Sequence, residues 1–304
     1  MGASSAFTIG KARLTFRVVN EDGQPVPTAS VRGYFENPRA ADYAGDIFDK
    51  RTDRNGEAVA KGAVFGFVEG WVLCDRHYKT SYRFANPHAP KSAGQPNAWP
   101  EWVATNTVVL KRIRNPVPMY VKKIDGPFPA RDVFVGYDMV TGDWMPPYGR
   151  GRETDMEVRY SQIVISTNRL GDPMESDGTL VLRFSRDGDG ILQSFLDTTS
   201  GSAYQTLYAA PADGYVKEVT YRRRRTIGRP LETNSDPNHS HYFRVRTVRD
   251  GNGNIIKAMY GKFMGSMSAQ RLYYLNPDGT RNVEFDPERN CFGDDKREVG
   301  SFAP

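Results

Sequence analysis

The residues of this chain best suited to chemistry lie between Arg222 and His241. His239 and His241 stand two positions apart, three and five residues after Asp236. On a strand, positions i and i+2 share a face, so both imidazoles can turn to one metal ion with Asp236 as a further ligand. The competing expectation is structural: a strand that starts after a Pro-containing loop and carries two half-exposed histidines. Upstream, Arg222–Arg225 run four in a row after Tyr221, which puts two arginines on each face of a strand. Arg222 and Arg224 are our candidate pair for binding carboxylate or phosphate groups, because guanidinium grips both bidentately. The plain alternative is a solvated edge strand kept from mispairing by its charge. Trp99 and Trp102 close a Pro-rich stretch and are candidates for a flat platform on which a sugar ring stacks.

These residues need strands and turns to position them, and the rest of the chain supplies that pattern. Period-two alternation recurs from Leu14–Val19 to Asn282–Phe285, punctuated by Asp-Gly and Asn-Gly pairs such as Asp22-Gly23 and Asn55-Gly56. No amphipathic helix of ten or more residues stands out. The 304 residues include 29 Gly, 20 Pro, 16 Tyr and 16 Phe, which favours many short strands joined by tight turns. Prolines crowd Asn86–Pro100, read as a long surface loop, and recur in Arg112–Pro118, read as a linker. The expected architecture is all-β: two β-sandwich domains, one over residues 1–114 and one over 115–304.

Composition excludes several classes. Charged residues make up 25% and apolar residues 38%, with no run long enough to span a bilayer. A net charge of +5 suits acidic partners without requiring them. Two cysteines, Cys74 and Cys291, cannot make a disulfide framework and read as buried free thiols. No basic segment followed by an apolar one opens the chain, so no secretory leader is visible. The sequence also lacks a GxSxG elbow, an HExxH helix, a CxxC pair, a Walker loop and a GxGxxG turn.

The first third of the chain resembles the carboxypeptidase regulatory-like domain, a transthyretin-like (prealbumin-like or Ig-like) sandwich. The resemblance rests on NEDGQPVPTASV at Asn20–Val31 and TDRNGEAVAKG at Thr52–Gly62. It implies a fold and no activity, since such modules accompany many unrelated proteins. The remainder, with GYDMVTGDWMPPYGRG from Gly136, resembles uncharacterised bacterial proteins that pair this module with a second β-rich region. Metallocarboxypeptidases need His-x-x-Glu, but Thr80, Lys91, Tyr242 and Arg244 follow the four histidines at that spacing. Hydroxyisourate hydrolases end in Tyr-Arg-Gly-Ser, whereas this chain ends GSFAP. The His239/His241 pair is similar to that of intradiol dioxygenases, whose iron is held by a His-x-His pair and two tyrosines. Tyr204, Tyr208, Tyr215 and Tyr221 lie upstream here, but the sandwich motif sits far away in the other domain.

The resulting expectation is a non-enzymatic bacterial protein, envelope-associated or secreted, with a structural, adhesive or binding role. Its partner would be a polysaccharide or a protein, with nucleic acid disfavoured and no cofactor required. The alternative is a metal-dependent, dioxygenase-like enzyme built on His239 and His241.

Overall fold

Alternation becomes strand almost wherever it occurs. In β1 (Gly10–Asn20), Ala12, Leu14, Phe16 and Val18 are buried while Lys11, Arg13 and Arg17 face solvent. The structure is a computed structural model that describes residues 10–37, 44–89, 100–124, 127–195, 206–235, 239–264 and 272–293. Every regular element among the described residues is a β-strand, and the strands form four sheets. The chain divides into two compact units, one through Arg114 and the other from Asn115.

The first unit adds β2 (Ser30–Glu36), β3 (Ala44–Arg51), β4 (Glu57–Val64), β5 (Phe67–Leu73), β6 (Thr80–Ala85) and β7 (Trp102–Leu110). Sheet β4-β1-β7 faces sheet β3-β2-β5-β6. Phe16 and Leu110 from the first sheet and Val31, Phe35, Val72 and Tyr82 from the second share one buried core. β1 and β7 run parallel, whereas the other pairings are antiparallel. This parallel pair is possible because everything between the first and last strands serves as its crossover. Gly56, in the Asn55-Gly56 turn, takes φ +73, and a Cβ there would lie 2.5 Å from the Val18 carbonyl oxygen. Only glycine fits that turn.

The second unit begins with β8 (Val117–Lys123), β9 (Val135–Asp138), β10 (Asp143–Trp144), β11 (Met156–Thr167), β12 (Pro173–Arg183) and β13 (Gly190–Phe195). It continues with β14 (Glu218–Arg225), β15 (Glu232–Thr233), β16 (His239–Arg249), β17 (Ile255–Met264), β18 (Leu272–Asn276) and β19 (Phe285–Asn290). Sheet β10-β9-β11-β12-β14-β15 packs on sheet β13-β16-β17-β18-β8-β19. Tyr137, Val158, Leu182 and Tyr221 meet Phe243, Phe263, Tyr273 and Leu275 in a single core. β11 and β12 are long, and beyond that core they carry exposed Ile163, Ile165 and Met174. Cys74 is half-buried and Cys291 exposed, so the expectation that both thiols are buried is corrected.

Candidate ligand pocket

Antiparallel register decides which side chains of β11, β12 and β14 stand together. Tyr160, Leu180 and Tyr221 align across the three strands and face the core. Two residues further out on the same face, Gln162, Gly178 and Arg223 align, with Thr233 of β15 beside them. Next come Val164, Ser176 and Arg225. The sheet thus runs past the core, and this inner face opens into a pocket of about 230 Å³. Phe128 closes one side, with its ring 5.1 Å from that of Tyr160.

The pocket's charge is one-sided. Its twelve lining residues include Arg222, Arg223 and Arg225 and no Asp or Glu. Arg223 and Arg225 are exposed, and neither is ion-paired among the described residues. They sit two positions apart on one strand, so their Cα atoms are about 7 Å apart. Arg225 donates from Nη1 to the Pro173 carbonyl oxygen at 3.2 Å, which anchors it to the rim. Gly178 leaves the floor open: a Cβ there would meet nothing closer than 3.7 Å.

Arg222 and Arg224, the pair singled out from sequence, carry their side chains on the opposite face. There Arg224 lies between Asp177 and Glu232 in the register, so acidic neighbours offset its charge. The strand is not a free edge either. Asn234 accepts from the Arg222 amide at 2.6 Å and donates to the Thr220 carbonyl at 3.0 Å, sealing its outer side. Sequence reasoning missed Arg223 and Arg225, although the signal was present. Counting in twos outward from buried Tyr221 places both on the inner face.

His241 is buried at 2% exposure, and its Nε2 lies 2.7 Å from the Tyr221 hydroxyl. Burial pushes the Tyr221 phenol up. The expectation of a half-exposed His241 is corrected: the strand face on which it sits is the core face. Asp236 and the His239 side chain lie outside the described residues. Among the described residues no group of three or more His, Cys, Asp or Glu side chains is placed to hold a metal ion.

Trp102 does not form a platform. It is 4% exposed and packs in the core of the first unit, because β7 begins there rather than after a longer loop. Trp99 lies outside the described residues. Among the described residues the exposed indole is Trp71, and Lys79 Nζ stands 5.0 Å from its ring centre.

A second arginine-centred cluster lies in the same unit. Arg246 adopts φ +55 within a bulge of β16, where it and Thr247 stand opposite Ala258. Its guanidinium donates to Asp155 at 2.8 and 3.0 Å and to Asp138 at 3.0 Å, and it pairs with Glu153 at 3.3 Å. Asp189 accepts the amides of Arg246 and Thr247, the two bulged residues. Burial raises the Asp138 carboxyl, but the Thr141, Arg152 and Glu153 amides and the Thr141 hydroxyl outweigh it and hold it at about 2. Burial also raises Asp155 and Asp189, and there it prevails over the donors.

Comparison with known proteins assigns no family. No family model matches the chain, and no curated protein matches it. The functional reading therefore rests on the chemistry of the pocket.

Proposed function

We propose that this chain is a non-enzymatic binding protein of the cell envelope or of the secreted fraction, and that its site is the arginine-lined pocket of the second unit. The observation that carries this reading is the charge of the lining: the Arg223 and Arg225 side chains on the pocket face and no carboxylate. Two exposed guanidiniums on one face, with no carboxylate paired to either among the described residues, suit an acidic group brought by a ligand. The lining also argues against catalysis. It contains no His, Asp, Glu, Cys or Lys, and its buried phenol, Tyr221, is held protonated. The first unit, with its resemblance to carboxypeptidase regulatory-like modules, serves as an accessory sandwich in this reading.

The test compares two double variants on a heparin column run in a salt gradient. Replacing Arg223 and Arg225 with Ser removes two charge-assisted contacts, worth about 1.5–3 kcal/mol each, and should move elution to markedly lower salt. Replacing Arg222 and Arg224 should move it less, because Asp177 and Glu232 already offset Arg224. Equal shifts from both pairs would show diffuse attraction rather than a site, and would end this proposal.

A further inference from the structure

Resting on the reading of this pocket as the binding site, we infer that its ligand is a carboxylated pyranose, one uronate unit of an acidic polysaccharide. Three features of the lining select that class. Phe128 and Tyr160 give an aromatic wall beside the opening, the surface against which the apolar face of a sugar ring packs. Arg223 and Arg225 stand on the same sheet face and supply donors for one carboxylate. Gln162, Ser176 and Thr233 line the pocket from three different strands and offer hydrogen bonds to ring hydroxyls.

Other anions leave part of this lining unused. A fatty carboxylate satisfies the arginines but covers the three polar side chains without replacing their hydrogen bonds to water. Inorganic phosphate uses the arginines and leaves the aromatic wall in contact with water. A nucleic acid strand needs a basic track that follows its backbone. Here the outer face of β14 is interrupted by the carboxylates of Asp177 and Glu232 flanking Arg224, and Glu218 lies at its other end. The size also fits. About 230 Å³ is below the roughly 300–1,000 Å³ of sites for drug-sized ligands, so a single ring enters while neighbouring units remain outside.

Gly178 supplies a clean control. It lies in extended β12, and a Cβ there would meet only the Arg223 and Ser161 carbonyl oxygens at 3.7 Å and the Tyr160 hydroxyl at 3.9 Å. A Cβ therefore fits at this position, and valine suits a strand, so Gly178→Val adds bulk to the pocket floor.

The experiment is calorimetric titration of the full chain with oligogalacturonate, oligoglucuronate and oligomannuronate. The methyl ester of each, inorganic phosphate and an oligothymidylate serve as comparison probes. We expect at least one uronate oligomer to bind, its ester to bind at least tenfold more weakly, and Gly178→Val to abolish binding while the melting temperature holds. Gln162→Ala should weaken the uronate and leave any phosphate binding unchanged. If phosphate or oligothymidylate binds as tightly as every uronate and Gly178→Val removes that binding, the sugar assignment fails and the anion site stands. If no probe binds, or if Gly178→Val leaves binding intact, both the sugar assignment and the site fall.

Discussion

The second unit holds two arginine-centred regions that differ in one respect: where the opposing charge comes from. Around Arg246, Asp138, Asp155 and Glu153 bring the carboxylates, and a strained backbone turn brings the guanidinium to them. Arg223 and Arg225 face a pocket whose lining holds no acid, and both side chains are exposed. The buried Asp138 and Asp155 carboxylates must be matched by the half-buried guanidinium, because an unpaired charge away from water is too costly. An exposed guanidinium can wait in solvent for a ligand. The first arrangement therefore fastens the loop between β9 and β11 to β16, and the second is available for recognition.

The largest test of this contrast is Arg246→Met. It should destabilise the second unit by about 3–5 kcal/mol in urea unfolding, because it strands buried carboxylates. Relief of the φ +55 strain does not offset this loss, since methionine inherits the same backbone. Arg223→Met should change stability by no more than about 0.5 kcal/mol. If the two variants unfold alike, the division into fastening and recognition is wrong.

Acid sharpens the comparison. A carboxyl held at about 2, against 3.8 unperturbed, contributes about 2 kcal/mol that is complete above pH 4 and lost as pH falls from 4 toward 2. Asp155 and Asp189 have the opposite sign. Their folded values are raised, so protonation relieves them and their contributions improve as pH falls. Stability measured from pH 5 to 2 should therefore fall less steeply in Asp138→Asn than in the native chain. An unchanged slope would place the acid-sensitive group elsewhere.

The smallest effect concerns the buried end of the pocket. Tyr221→Phe removes the hydroxyl 2.7 Å from His241 and keeps the ring. It should cost about 1 kcal/mol in stability, with little change in the salt at which the chain leaves heparin. A larger change in elution than in stability would assign the hydroxyl to the ligand rather than to the core.

Much of the fold was legible because strand periodicity is local. β1, β2, β6 and β17 lie close to where alternation places them. The failures also have physical reasons. β3 reads AGDIFDKR, with too few apolar residues to alternate visibly, since only Phe48 of its described side chains is buried. The first half of β12 is polar because it extends beyond the core, so burial imposes no pattern there. Trp102 looked like a loop residue because prolines precede it. Its burial depends on the parallel pairing of β1 and β7, which joins residues about ninety positions apart.

The sequence by itself determined an all-β chain, its turn glycines, and a run of four arginines split evenly between two faces. Hydrogen-bonding geometry fixes period two and positive-φ turns within a few residues, so no distant partner is required. Only the tertiary structure decided which face of β14 meets Phe128 and Tyr160. It also decided that Asp177 and Glu232 flank Arg224, and that the Tyr221 hydroxyl lies against Nε2 of buried His241. Those outcomes depend on register between strands distant in sequence, where a shift of one residue exchanges the two faces.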